Sequence, residues 1–420
     1  MEEKIKVLVI SDHPLSPSGV GTQTRYFIEA LLKTKKFKFI CLGGAIKHEN
    51  HDPQKIDPYG DDWVVLPIDG YGNSDMIRSI LRNEKPDVLW FMTDPRFYEW
   101  LWFVENEIRP LVPMVYYHVW DNHPPPMFNR QFYLSNDLVV SISKVTHEIV
   151  SAVAPEVKNI YLPHAVDSLV FKPLKEDQRT EIRNRSFPQD KEKRVIFFWN
   201  NRNARRKQSG SLLWWFNEFA DEVGRDKVRL IMHTDPNDPH GQPLQYLIEE
   251  VGALDGSIQI SADKIPAGAL AEIYNMVDCT INISDAEGFG LATLESLSCG
   301  TPIIVTMTGG LKEQVTDGEN WFGIGIEPSS KTVIGSQQVP YIYEDRICKE
   351  DFKAALYKIY NMTPEERNEI GKLGRAHVEK NYNFDTYCKK WNEVMLQLHE
   401  EHGSWETRKN YKSWDFREIT

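Results

Sequence analysis

The chain is poor in cysteine, in positive charge and in long apolar runs. Its 420 residues include five cysteines, Cys41, Cys279, Cys299, Cys348 and Cys388. They are scattered, odd in number and never spaced C-x-x-C. That excludes a disulfide framework or a zinc site and reads as reduced thiols in a cytosolic compartment. Lys and Arg number 49 against 61 Asp and Glu, a formal net charge of −12. A general nucleic-acid surface is therefore not expected, although a local basic site is still allowed. No apolar run approaches the length that spans a bilayer, and the N-terminus passes almost directly into a strand-like run without the apolar core of a signal peptide.

What is present reads as a globular protein, 41% hydrophobic and 26% charged, long enough for two or three domains. Twelve tryptophans and 17 tyrosines are a heavy aromatic load. Most belong in cores, and some would suit a carbohydrate site, where aromatic faces pack against sugar C–H surfaces.

The most informative stretch is Glu287-Gly288-Phe289-Gly290-Leu291-Ala292-Thr293-Leu294-Glu295. A strand-like run, Cys279 to Ile283, leads into it, and an amphipathic, helix-like segment from Leu291 to Cys299 leads out. The turn between them should present free backbone amides and the positive end of a helix dipole, with two glycines allowing close approach of a ligand. Such a place suits a phosphate. Two carboxylates beside a bound anion would repel it, so Glu287 and Glu295 are better matched to neutral hydroxyls. Glu295 lies about two helical turns on, roughly on the same side. A sugar nucleotide, with hydroxyls at both ends and phosphates between, fits this layout. The plain alternative is a solvated helix start with acids in its first turns.

Strands and helices alternate along the whole chain, which predicts parallel, doubly wound sheets. The run Lys4 to Ser11 is a strand buried on both faces. A Pro/Gly/Ser loop from Asp12 to Thr22 follows it, then helical spacing from Gln23 to Leu32. This is a second anion-cradle order. Thr24 stands where a third glycine of G-x-G-x-x-G would be, and no acid ends the next strand, Phe37 to Leu42. A nicotinamide dinucleotide is therefore not expected. Further strands are expected at Trp63–Ile68, Asp87–Met92, Pro113–His118 and Asp137–Ile142, with helices at Ser74–Asn83, Pro95–Glu107 and Lys144–Val153. The histidines His48 and His51 read as a solvated loop. From Lys172 to Arg194 the composition turns to dense charge of both signs, as in a linker or an exposed boundary helix. A second α/β series starts at Val195, with strands at Val228–His233, Ser257–Ile260, Asp278–Ser284 and Pro302–Thr306. Helices are expected at Ser209–Val223, Leu244–Val251, Ala267–Met276 and Leu291–Cys299. Val339 to Glu344 lies in an irregular stretch after Phe322, and the tail from Lys349 reads as helical, with Pro364 opening one helix and another running from after Asn383 to about His402. The resulting division is 1–167, 168–383 and 384–420.

Four cations, Arg202, Arg205, Arg206 and Lys207, follow the first strand of the second series. Strand C-termini are where ligands bind in open α/β sheets, and arginine forks and lysine point charges suit phosphates. Taken together, a P-S-G-V-G loop, a histidine ending a strand at His118, R-x4-K at Arg202 and Lys207, E-x7-E at Glu287 and Glu295, then C-G-T-P-I-I-V and T-G-G-L-K-E, resemble glycosyltransferase family 4. The resemblance covers almost the whole chain, and Asp278 to Val315 is its specific part. It implies a GT-B fold, two Rossmann-like domains facing across a cleft, with the C-terminal helix crossing back to the N-terminal domain. The N-terminal domain would bind the acceptor and the C-terminal one the nucleotide sugar.

By position, the resemblance assigns Arg202 and Lys207 to the donor diphosphate, Glu295 to the ribose and Glu287 to the transferred sugar. The amides of Gly288, Phe289, Gly290 and Leu291 would contact sugar and phosphate, Gly19 and Gly21 would approach the phosphates, and His118 would lie near the anomeric centre. A strand-end histidine bonded to a carbonyl is the bland alternative for His118. The base contact is expected from the loop Ser261 to Ile265, with Lys264 a donor-binding residue. Three features depart from the family pattern: Asn201 in place of glycine before Arg202, the bulky Trp321-Phe322, and Ser329 to Tyr343, which has no family counterpart.

The expectation is a retaining, metal-independent hexosyltransferase without a cofactor, using a GDP- or UDP-sugar. No D-x-D motif is present, and fixed cations with a helix N-terminus would take the leaving-group charge. The acceptor would be a glycan, a lipid-linked acceptor or another hydroxyl compound. Peripheral contact with the inner membrane face would fall to the Lys33 to Lys38 patch, which also reads as a solvated helix end. The alternatives are a hexose-phosphate-dependent synthase on the same fold, for which no acceptor motif is evident, and a non-catalytic sugar-nucleotide-binding scaffold.

Overall fold

A computed structural model describes residues 3–190 and 194–411; residues 191–193 of the charged stretch and 412–420 of the expected tail lie outside the described residues. The chain folds as two compact units. The first takes the chain up to Trp120, then Pro125–Ala165, then everything from Asp385 on; the second takes Asp121–Pro124 and Val166–Phe384.

The first unit is built on eight strands: β1 (Ile5–Asp12), β2 (Phe37–Gly44), β3 (Gln54–Ile56), β4 (Gly60–Pro67), β5 (Val88–Met92), β6 (Met114–His118), β7 (Leu138–Ser141) and β8 (Asn159–Tyr161). Their order is β3-β4-β2-β1-β5-β6-β7-β8. All neighbours are parallel except the edge pair β3–β4. In the middle of the sheet Val7 pairs with Phe39 on one side and Val88 on the other. Both faces are covered, so β5 (VLWFM) is apolar and buried throughout.

Three expectations change here. The first helix starts at Gly19, not Gln23, because Ser18 caps it by accepting from the Gly21 amide at 2.9 Å. Gly19 and Gly21 thus belong to a helical first turn and not to an open loop. The expected helix Pro95–Glu107 is broken into a 3₁₀ turn, Pro95–Tyr98, and two short helices, Glu99–Trp102 and Glu105–Ile108. Large aromatic anchors override local propensity there. The Tyr98 hydroxyl lies 2.8 Å from the Ile10 and Met92 carbonyls, and Trp102 stacks on Phe132 at 4.6 Å. The edge strands β3 and β8, three residues each, are too short to carry a periodic signal in sequence.

The helix Phe384–His402 completes the core of this unit. Trp391 is fully buried, with ring centroids 4.8 Å from Phe27 and 5.0 Å from Tyr117, while Phe27 stacks on Trp90 at 4.3 Å. Beyond the helix, Ser404 donates to Asp87 at 2.7 Å and Arg408 to Asp137 at 2.9 Å, fixing the tail on the same unit.

The second unit has a six-stranded, all-parallel sheet of β9 (Val195–Asn200), β10 (Val228–His233), β11 (Ile258–Ser261), β12 (Cys279–Asn282), β13 (Ile303–Thr306) and β14 (Gly323–Ile326), ordered β11-β10-β9-β12-β13-β14. Strand order reverses between β9 and β12, the topological switch point at which such sheets bind ligands. The charged stretch contains a helix, Glu176–Ser186, that buries only Ile182. The stretch read as irregular is instead an antiparallel hairpin of β15 (Ser330–Ile334) and β16 (Ile342–Arg346). Its side chains are polar or exposed along much of both strands, so no apolar alternation announces it. No helix among the described residues is long and apolar enough to cross a membrane.

Candidate functional site

The site of the second unit is built from the two loops that leave the switch-point strands β9 and β12. From β12 the chain runs through Asp285 and Glu287 to the helix Leu291–Ser298. Gly290 sits at its N-cap with φ 94°, in the left-handed region that favours glycine. The first-turn amides of that helix have no intrahelical acceptor. A second turn, Thr308-Gly309-Gly310, closes on the first. The Gly310 amide donates to the Glu287 carbonyl at 2.9 Å, and a Cβ on Gly309 would lie 1.9 Å from that same oxygen. Gln314 locks the turn from below, donating to the Phe289 carbonyl at 2.7 Å and accepting from Thr293 at 2.6 Å. The T-G-G motif is thus explained by backbone-to-backbone contact.

Lys207, from the β9 loop, donates to Glu287 Oε2, which also accepts from Asn282 at 3.2 Å. The pair is nearly buried. Burial alone would raise the Glu287 carboxyl, but the Lys207 and Arg206 charges bring it below its ordinary value. Burial likewise lowers the Lys207 ammonium, against the pull of Glu287. Glu295 accepts from the Tyr274 hydroxyl at 2.9 Å, and Asn200 at the end of β9 donates to the same hydroxyl at 2.9 Å. Burial pushes Glu295 up to about 7, with the tyrosine bond opposing.

Other expected residues fall elsewhere. Arg202 is forked on Asp238, with 2.6 and 3.3 Å bonds, and touches His240 Nδ1 at 2.7 Å. Lys264 is exposed beyond β11 and makes no hydrogen bond or ion pair among the described residues. Gly19, Gly21 and His118 belong to the first unit. The Cβ direction of Gly21 is filled by Ser16 Oγ at 2.3 Å and the His13 carbonyl at 2.8 Å, so this glycine packs the turn on itself. Asp12 lies beneath that turn, accepting from Ser18 at 2.6 Å and Tyr71 at 2.7 Å. His118 ends β6 as a fully buried ring. It bonds the Tyr133 hydroxyl at 2.9 Å through Nε2, and burial drives it down to about 3, so it is neutral.

Several groups escaped the sequence reading. Tyr274 and Asn200 hold Glu295. Asp285 is buried and pushed up to about 6 by that burial. It accepts from Gln208 at 2.7 Å and pairs with Arg346 of β16, also at 2.7 Å. Glu344 of β16 takes a fork from Arg205, with 2.7 and 2.6 Å bonds, and a further bond from Arg346 at 3.0 Å. The hairpin also receives the segment Asp121–Pro124. The Tyr343 amide donates to the His123 carbonyl at 2.6 Å, and Asn122 to the Tyr343 carbonyl at 3.3 Å. Asp121 there is raised to about 6 by burial, with Arg206 and Lys207 opposing and Glu287 adding to it. No local periodicity signals any of these pairings, because their partners are far apart in sequence.

Residues 179–377 match the family model described as glycosyl transferases group 1. A D-inositol 3-phosphate glycosyltransferase of Acidothermus cellulolyticus is 35% identical over 99 residues, which cover 23% of this chain and 22% of that protein. The chain spans only 17–28% of the length of the first such relatives it matches. The solved structure of sucrose-phosphate synthase from Thermosynechococcus elongatus superposes with a TM-score of 0.74 at 16% identity, over 94% of this chain and all of that one. Anabaena HepE in complex with UDP-glucose gives 0.69 at 13% identity, over 93% and 99%. The fold is GT-B.

Proposed function

We propose that the protein is a family 4 glycosyltransferase that moves a hexosyl group, with retention, from a nucleoside diphosphate sugar to a hydroxyl acceptor. The observation that carries this reading is the Lys207–Glu287 pair in front of the Leu291 helix, at the switch point between β9 and β12. A phosphate at the helix N-terminus would take the Lys207 ammonium, and Glu287 would turn to sugar hydroxyls. Glu295 would bond the ribose, oriented by Tyr274. In the transfer, the bond from the anomeric carbon to the diphosphate oxygen breaks and one to the acceptor oxygen forms on the same face. The acceptor's proton passes to the leaving phosphate. Fixed cations and first-turn amides stabilise that leaving charge without reorganising, which is the form of catalysis such preorganised groups give. A structural neighbour in complex with UDP-glucose and a relative described as GDP-mannose-dependent support a UDP- or GDP-sugar as donor.

The acceptor is a glycan or a lipid-linked hydroxyl compound. For the latter, Lys35 and Lys36, exposed before β2, are the place for contact with an anionic membrane face from the cytosolic side. The test is donor turnover. Wild type should hydrolyse or transfer from a UDP- or GDP-sugar, equally well with and without EDTA, and Glu287→Ala should not. Equal inertness of both proteins with donor binding intact would favour a non-catalytic sugar-nucleotide binder, and loss on chelation with rescue by manganese would refute metal independence.

A further inference from the structure

Strand β16 carries an acid and a base on one side. Side chains alternate along a strand, so Ile342, Glu344 and Arg346 share a face. Glu344 is buried and accepts the Arg205 fork, from the β9 loop, at 2.7 and 2.6 Å. Arg346 pairs with Asp285, from the β12 loop, at 2.7 Å and with Glu344 at 3.0 Å. Asp285 is buried too, and also accepts from Gln208 at 2.7 Å. The main chain repeats the tie. The Asp345 amide donates to the Asp285 carbonyl at 2.9 Å, and the Asp285 amide to the Arg206 carbonyl at 2.8 Å.

A connected series thus runs Arg205, Glu344, Arg346, Asp285, Gln208. Arg205 and Gln208 flank Lys207 in the chain, and Asp285 stands two residues before Glu287. Gln208 holds φ at 56°, in the left-handed region, and its bonds to Asp285 and from Ser211, the latter also 2.7 Å, keep it there. Stability is a poor reason for this arrangement, because replacing a buried ion pair with packed apolar side chains is often neutral or stabilising. Charged pairs with forked geometry fix distance and angle. What they fix here is the two loops that carry the Lys207–Glu287 pair. The hairpin that does so is formed largely by Ser329 to Tyr343, the stretch without a family counterpart.

We propose that Arg346 is a positioning residue of the transfer site. By clamping Asp285 and Glu344 it holds the β12 and β9 loops so that Glu287 and Lys207 meet one donor together. The inference rests on the proposed function. A displacement of about 1 Å at such a site can cost about 100-fold in rate.

Turnover of UDP-glucose and GDP-mannose, binding of UDP and GDP, and a thermal melt test this in six proteins. They are wild type, Arg346→Lys, Arg346→Gln, Asp285→Asn, the double variant Asp285→Asn/Arg346→Gln, and Ile182→Ala. The last truncates the buried residue of the helix Glu176–Ser186, outside the site, and should lower the melt with kcat unchanged. Arg346→Gln should lower kcat by about 10- to 100-fold with donor KM within about threefold of wild type, and Arg346→Lys should recover part of the loss. The double variant should lose no more than the worse single variant, since the two residues act as one clamp. It leaves no unpaired charge at position 285, so it carries the test if Arg346→Gln does not fold. A wild-type kcat in Arg346→Gln or in the double variant, or losses that multiply in the double variant, overturns the inference and leaves the proposed function in place. A wild type that binds neither UDP nor GDP and turns over neither sugar nucleotide overturns the function, and the inference with it.

Discussion

Protonation of Glu295 favours the folded state, whereas the proposed function uses its ionised form. Burial raises its carboxyl from 4.5 to about 7. Between those values the folded protein keeps a proton that the unfolded chain has released. Its contribution is therefore fully present below about pH 4.5 and is lost as pH rises through about 7. A shift of that size corresponds to at most about 3.5 kcal/mol, at roughly 1.4 kcal/mol per unit. The side chain is not sealed from water, so about 1–2 kcal/mol should survive screening. Glu295→Gln removes the ionisation and keeps an oxygen for the Tyr274 hydroxyl. Urea unfolding of both proteins at pH 5 and pH 8, at fixed ionic strength, should show the variant gaining about 1–2 kcal/mol on wild type between the two conditions. The same variant should bind a nucleoside diphosphate more weakly, because a neutral amide accepts ribose hydroxyl bonds less strongly than a carboxylate. Parallel unfolding curves at both pH values, or a gain at pH 5 that vanishes at pH 8, would refute the reasoning.

Three further outcomes are expected. Glu287→Gln should lower kcat by about 100-fold with little change in donor KM, since its hydroxyl bonds would tighten in the transition state; equal effects on both constants would count against a role at the transferred sugar. Gly309→Ala should cost at least about 2 kcal/mol in a thermal or urea melt, because φ is 50° and the added methyl meets the Glu287 carbonyl. Trp391→Ala should cost about 3–5 kcal/mol in urea unfolding, as a truncation in a filled aromatic core.

The fold was legible wherever burial imposes a pattern. Strands covered on both faces are apolar runs, and Pro364 in a first turn marks one helix start. Lys144–Val153, Ser209–Val223 and Ala267–Met276 have the bounds their spacing predicts. Prediction weakened where tertiary contacts decide. Aromatic anchors split the Pro95–Glu107 helix, and Ser18 draws the first helix back over its glycines. At the site, the family resemblance pointed to Lys207 and Glu287, which the structure does bring into contact. It pointed equally to Arg202, which the structure gives to Asp238. The difference lies in pairings such as Arg205 with Glu344, 139 residues apart, which no local pattern encodes. The hairpin that supplies Glu344 and Arg346 has too little apolar alternation to be read as strands.

The first unit takes its core from both ends of the chain, with Trp391 set among Phe27, Trp90 and Tyr117. During synthesis, everything before Ala165 leaves the ribosome without that ring, while the second unit, apart from Asp121–Pro124, is complete once Phe384 has emerged. The usual order, N-terminal domain first, is thus reversed: the second unit can close before the first. Until the last helix arrives, Phe27 and Trp90 lack a cover, which makes the nascent first unit the natural client of a chaperone. A chain cut short near residue 384 would carry a whole second unit and an unfinished first one.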